Sequence, residues 1–144
     1  MDYSLKEHLN TINQQFKEII SIYRSAINQS GISENEFWIW YALIIMEDEC
    51  SQQDICAAWS LSKQTVNTII TNLTKKGFVF LEVIPGSRNR KLIHLTDEGR
   101  KYGESIVLPT YQAEQAAFNQ LTQQDRTACS IALGKYIEFL KKEM

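Results

Sequence analysis

Between Leu61 and Gly77 the chain reads LSKQTVNTIITNLTKKG, and Lys63, Gln64, Asn67, Thr68, Thr71, Asn72 and Lys75 fall on one side of it without a single carboxylate. Side-chain amides and hydroxyls can donate to and accept from base edges, and ammonium groups pair with phosphates. An ordinary solvated helix face mixes Glu with Lys, because alternating pairs favour both helix and solubility. The chemistry on offer here is recognition of a duplex. Val66, Ile69, Ile70 and Leu73 follow the i, i+3, i+4, i+7 spacing of a buried stripe, so the stretch is predicted to be helical. Ser62 is placed as N-cap, and Gly77 as the left-handed stop after Lys75 and Lys76, whose charges suit the negative end of the helix dipole.

A second cluster follows at Ser87, Arg88, Asn89, Arg90 and Lys91. Arginines at a hairpin tip can enter a minor groove or clamp phosphates. Net charge is −2, which alone does not suggest a polyanion partner. Its distribution does. From Ile55 to Thr96 the only acid is Glu82, set against Lys63, Lys75, Lys76, Arg88, Arg90 and Lys91. Local potential governs phosphate binding, so a basic module on an acidic body has the footprint of a nucleic-acid binder.

The elements that must hold these clusters can be read in order. Residues 3–28 form a long predicted helix, with Leu5, Leu9, Ile12, Phe16, Ile19, Tyr23 and Ile27 in a near-heptad stripe and Gly31 at its end. That stripe faces either its own domain or a second copy. A capping box at Ser33 to Glu36 opens a helix to Met46, apolar nearly all round and therefore central. Its Trp38, Trp40 and Tyr41 are read either as plain core or as the lining of a ligand cavity. Glu47 to Glu49 is an acidic turn. Ser51, with Asp54 in the box position, caps a short helix to about Trp59. Two short helices joined by a tight turn make a helix-turn-helix. Phe78 to Ile84 and Leu92 to Leu95 are predicted strands around a turn at Pro85 to Ser87, which makes the basic loop a wing. Thr96 caps a helix from Asp97 to about Leu121, where Pro109 is expected to introduce a kink. A last helix starts at Thr122, with Ile131, Ala132, Ile137 and Leu140 apolar. The first and last two helices exceed what the winged core needs and are read as a dimer interface.

Composition sets the remaining bounds. The chain has 144 residues, 44% of them apolar and 22% charged, the balance of an ordinary globular protein. No apolar run approaches the ~20 residues of a membrane helix, and MDYSLKEHLN carries no secretory signal, so a cytoplasmic protein without membrane contact is expected. Cys50, Cys56 and Cys129 are odd in number and widely spaced, which argues against a disulfide framework and for reduced core thiols. Cys50, just outside a helix start, is the one candidate for a redox-sensing thiol, because a helix N-terminus lowers thiol pKa. His8 and His94 are far apart and without a nearby Cys, so no metal site is expected. There is no phosphate loop, nucleophile–histidine pair or recognisable carboxylate pair, and neither an enzyme nor a cofactor is expected.

Taken together, Ser51-Gln52-Gln53-Asp54-Ile55, Leu61-Ser62 with Thr65-Val66, Leu73-Thr74-Lys75-Lys76-Gly77-Phe78, the wing, and Leu95-Thr96-Asp97-Glu98-Gly99 resemble the MarR family of transcriptional regulators from end to end. The resemblance implies a mainly α fold with a small β-hairpin wing: one MarR-like domain over 1–144, with a winged-helix lobe at 33–96 and dimerisation helices at 1–30 and 97–144. It implies a homodimer that binds palindromic double-stranded operators and represses, with the second helix of the pair in the major groove and the wing in the flanking minor groove. On that reading the DNA-contacting residues are Ser51, Gln52, Ser62, Lys63, Gln64, Thr65, Asn67, Thr68, Thr71, Asn72, Lys75, Arg88, Asn89, Arg90 and Lys91. Many members bind small aromatic compounds between the dimer helices and the DNA-binding lobe, and Trp38, Trp40 and Tyr41 are the aromatic residues this chain offers as a pocket lining. The family wing usually carries Asp-x-Arg; here Ser87 and Asn89 occupy those places, so its internal carboxylate–guanidinium brace is expected to be absent. The first helix lacks the reactive cysteine of peroxide-sensing members. Competing readings are a winged helix used for protein contact without DNA affinity, and a thiol-based regulator acting through Cys50.

Overall fold

A computed structural model describes residues 3–46, 50–87 and 90–144, so the acidic turn at 47–49 and wing residues Arg88 and Asn89 lie outside the described residues. The chain divides into two compact units, Met1–Val107 and Leu108–Met144.

In the first unit, α1 (Tyr3–Ser30) leads through Gly31 to α2 (Glu34–Ile45), the central helix. Phe37, Ile39, Trp40, Ala42, Leu43 and Ile44 are buried, as an all-round apolar sequence requires. Ser33 caps α2 by accepting from the Glu36 N–H, but the box is only half formed: the Glu36 carboxylate instead accepts from Trp40 Nε1 at 3.3 Å. Of the α1 stripe only Ile27 is buried; Leu5, Leu9 and Ile19 remain exposed in the single chain.

The sheet has one strand more than expected. β1 (Cys50–Ser51) pairs antiparallel with β3 (Lys91–Leu95), which pairs antiparallel with β2 (Val79–Val83), in the order β1-β3-β2. Cys50 lies opposite Ile93 and Ser51 opposite Leu92, while Val79 to Val83 run against Leu95 to Lys91. Between β1 and β2 come α3 (Gln52–Trp59) and α4 (Lys63–Lys75), and β3 is followed by α5 (Asp97–Asn119). The core of this unit joins Trp40 and Phe37 with Ile27, Ile55, Val66, Ile70, Leu73, Val79, Ile93 and Val107. Trp40 is T-shaped to Phe78 and to Tyr102, which stack on each other with ring centroids 4.8 Å apart.

A tight corner joins the end of α4 to the start of α5. The Thr96 hydroxyl donates to the Gly77 and Phe78 carbonyls and accepts from the Gly99 N–H at 3.0 Å. Helix and strand come so close here that a Cβ on Gly99 would collide with the Phe78 carbonyl. A Cβ on Gly103 would lie 2.7 Å from Trp40 Cε3.

In the second unit the last part of α5 stays helical beyond Pro109, and α6 (Gln123–Glu143) begins at Thr122, whose hydroxyl accepts from the Asp125 N–H. No residue of α6 is buried, and Ile131, Leu133, Ile137 and Phe139 are exposed. Among the described residues no helix is long and apolar enough to cross a membrane, and no group of three His, Cys, Asp or Glu is placed to hold a metal.

Candidate nucleic-acid interface

The helix-turn-helix is fixed at each end by local chemistry. Ser51 and Asp54 form a complete capping box: the Ser51 hydroxyl accepts from the Asp54 N–H at 3.1 Å, and the Asp54 carboxylate accepts from the Ser51 N–H at 2.9 Å. Helix α3 ends at Ser60 in the left-handed region, φ 53°. Ser62 then caps α4 by accepting from the Thr65 N–H, and its own hydroxyl donates to Thr65 Oγ1 at 2.8 Å. At the far end, Phe78 N–H reaches Leu73 O and Gly77 N–H reaches Thr74 O, with Gly77 at φ 78°. That is the Schellman pair of bonds, for which glycine is suited.

Burial of Val66, Ile70 and Leu73 turns the opposite side of α4 outward. Lys63, Gln64, Asn67, Thr68, Thr71, Asn72 and Lys75 are all exposed, as the periodicity predicts. The hydroxyls of Thr65 and Thr74 are engaged locally, Thr74 with Ile70 O at 2.7 Å. Those of Thr68 and Thr71, and the amides of Gln64 and Asn67, make no hydrogen bond among the described residues. The face is therefore exposed, free of acids and unoccupied by internal bonds.

Other residues expected at the interface are placed differently. Ser51 is wholly buried, its hydroxyl held by the capping box, so it presents no free group to a duplex. Gln52 beside it is half-buried. Ser62 and Thr65 bond to each other, which makes them framework rather than free contacts. Lys91 is exposed. Arg90 does not project freely: its Nη2 lies 3.4 Å from Asp54, in a pair that is partly solvated. The wing thus does have a carboxylate–guanidinium tie, but the carboxylate comes from α3 rather than from the wing. The Ser87 hydroxyl accepts from the Arg90 N–H at 3.2 Å, and Ile84 N–H donates to Arg90 O, which closes the loop base. In the sequence Asp54 has the signature of a cap alone, because nothing local signals a partner 36 residues away.

The Asp54 carboxyl is held below the usual carboxylate range, first by the Ser51 backbone N–H and further by the Ser51 hydroxyl and Arg90, against the opposing effect of burial. The Cys50 thiol moves the other way, pushed up to about 11 by burial and by the Asp54 charge. This agrees with the reading of Cys50 as a reduced core thiol and weighs against the redox alternative. A buried thiol beside a carboxylate is kept protonated, whatever helix start lies near it. Cys129 is exposed and Cys56 half-buried, so the three cysteines are not uniformly core.

Trp40 is wholly buried against Phe78 and Tyr102 and offers no surface to a ligand, so it belongs to the core. Trp38 differs. It stacks on Trp59 at 5.3 Å and touches Tyr23 and Tyr41, a cluster drawn from α1, α2 and α3. Trp59 Nε1 is buried there without a hydrogen-bond partner among the described residues.

This order of helices, three-stranded sheet and wing coincides with a family match: the MarR family model covers residues 30–88. Over those residues the chain is similar to the winged helix of the MarR family. The likeness in fold extends beyond the matched segment. A MarR family regulator from Neisseria meningitidis is similar at 23% identity over 94% of each chain, with a TM-score of 0.81. MepR of Staphylococcus aureus, solved in complex with DNA, is 22% identical over 96% of this chain and 99% of its own, TM-score 0.61. Staphylococcus aureus MarR, solved with salicylate and kanamycin, is 16% identical over 99% and 96%, TM-score 0.67. No curated protein matches the sequence. In this lobe, α4 is the second helix of the helix-turn-helix and the β2–β3 hairpin is the wing.

Proposed function

We propose that this protein is a cytoplasmic, non-catalytic, sequence-specific DNA-binding regulator. It acts as a homodimeric repressor of palindromic operators, with α4 in the major groove and the wing in the flanking minor groove. The observation that carries the reading is the outward face of α4: exposed, without a carboxylate, and with the Gln64 and Asn67 amides and the Thr68 and Thr71 hydroxyls making no hydrogen bond among the described residues. The MepR–DNA complex supports it by fold. Exposed Leu5, Leu9 and Ile19 of α1, and Ile131, Ile137 and Phe139 of α6, support assigning 1–30 and 97–144 to dimerisation. The two half-sites would then lie about one helical turn apart, ~10 bp centre to centre.

A small aromatic effector is part of the proposal. Trp38, Tyr41 and Trp59, with the unpartnered Trp59 Nε1, supply ring faces and one donor for such a ligand, and the salicylate-bound MarR of Staphylococcus aureus supports that class.

The test is anisotropy binding to the DNA upstream of the protein's own gene against a scrambled duplex, each titrated at two salt concentrations. Tight, salt-sensitive binding that prefers the upstream fragment supports a regulator. No binding to either duplex at low salt overturns the reading and leaves a winged helix used for protein contact.

A further inference from the structure

We infer that the bases contacted directly by α4 are A·T pairs, a statement that rests on the DNA-binding function proposed above and gives its target a chemical class. The structure narrows the readers. Ser51 is buried, and Ser62 and Thr65 hold each other, which leaves Gln64, Asn67, Thr68 and Thr71 as exposed polar groups in the first two-thirds of the helix. Gln64, Thr68, Thr71 and Lys75 follow the i, i+4, i+7, i+11 series, so they form one outward line with Asn67 beside it. The buried line Val66, Ile70 and Leu73 on the other side fixes which way this face points.

Each of the four has a preferred base. A Gln or Asn amide matches adenine in two bonds, donating to N7 and accepting from the N6 amino group. A threonine methyl packs against the C5-methyl of thymine, while its hydroxyl bonds to either base. Equally informative is what α4 does not carry. Between Lys63 and Lys75 there is no Arg and no Asp or Glu to accept from the cytosine N4 amino group, and the two Lys, which like Arg can pair with guanine O6 and N7, stand only at the helix ends. The two lysines bracket the reading line. Lys63 stands at the first helical position, and Lys75 is eleven residues beyond Gln64, about 16 Å along the axis at 1.5 Å per residue. An ammonium at either end of a helix seated in a groove meets the phosphate walls, where a point charge is enough. Amides and methyls over the bases with cations at the margins specify an A·T-rich half-site.

The experiment begins with a duplex pool carrying a randomised centre of about 24 bp, enriched on the full-length protein. The winning duplex is then compared by anisotropy with variants. Enriched sites should fix A·T at the central positions of each half-site, and exchanging one such pair for G·C should weaken binding about tenfold or more. Replacing the thymine opposite Thr68 or Thr71 by uracil, which removes only the C5-methyl, should weaken binding several-fold. In Thr68→Ser, which keeps the hydroxyl and loses the methyl, that thymine–uracil difference should disappear at the matching position. Enriched sites with fixed guanines whose requirement vanishes in Gln64→Ala would overturn the inference, as would enrichment with no base preference. Both of those results leave DNA binding intact. Retention of no duplex at low salt would instead remove the function on which the inference rests.

Discussion

Arg90 Nη2 sits 3.4 Å from both carboxylate oxygens of Asp54, joining the wing to the first turn of α3. The same carboxylate accepts from the Ser51 N–H, and Ser51 pairs with Leu92 in the sheet. One acid therefore holds the start of the helix-turn-helix, the added strand and the wing base in register. The wing is thus tied by a carboxylate from outside it.

That pairing predicts a measurable coupling. Asp54→Asn keeps an acceptor for the Ser51 N–H and loses the charge opposite Arg90. In a double-mutant cycle with Arg90→Ala the coupling should be about 0.2–1 kcal/mol, as for a partly solvated pair. The sign with pH follows from the lowered Asp54 pKa. The folded value lies below the ordinary ~3.9, so the stabilisation is complete above that pH and is lost as pH falls through the folded value. The difference in Tm between wild type and Asp54→Asn should accordingly shrink below about pH 4. An unchanged difference from pH 7 to pH 3 would show that the charge contributes nothing.

The wing cations predict a different signature. Arg88→Ala should weaken binding to specific and random duplexes alike and reduce the slope of log K against log salt by about one. Unchanged affinity for random DNA would mean that Arg88 reaches no phosphate.

The corner at Gly99 predicts a reversal of an ordinary helix rule. Glycine to alanine inside a helix normally stabilises by up to about 1 kcal/mol. At Gly99 the new methyl would meet the Phe78 carbonyl, so Gly99→Ala should instead destabilise by about 1–3 kcal/mol. Gly134 of α6, with nothing within 4 Å of its Cβ position, provides the comparison. Denaturant titration of both variants decides it; equal stabilisation at the two sites would refute the close approach.

Cys50 predicts an unreactive thiol. With its pKa near 11, on the order of one molecule in ten thousand carries the thiolate at pH 7, and the sulfur is also buried. Alkylation followed by mass spectrometry should label Cys50 only at the rate of global unfolding. Rapid labelling in the native protein would restore Cys50 as a candidate sensor.

Much of the winged-helix lobe was legible because its signals are local. Ser62, the Val66–Ile70–Leu73 stripe and Gly77 define α4 within seventeen residues of sequence, and Ser51 with Asp54 defines the start of α3 in four. What escaped depends on pairings distant in sequence. Strand β1 is two residues long and exists because Cys50 and Ser51 meet Ile93 and Leu92, and periodicity cannot register so short a strand. Asp54 looked fully explained by its cap, which hid its second partner. The raised pKa of Cys50 was not legible, because proximity to a helix start is visible in sequence, whereas the degree of burial is not. The near-heptad stripe of α1 was readable as apolar, yet in the single chain it buries only Ile27.

The division of labour across α4 has an evolutionary consequence. Val66, Ile70, Leu73 and the two caps hold the helix in place, while the side chains of Gln64, Asn67, Thr68 and Thr71 make no hydrogen bond among the described residues. Substitutions on the outward line can therefore accumulate with little loss of folding, since surface changes away from packed or bonded groups rarely alter stability by more than about 0.5 kcal/mol. A duplicated copy of such a gene could drift to a new operator while remaining a folded protein at every step.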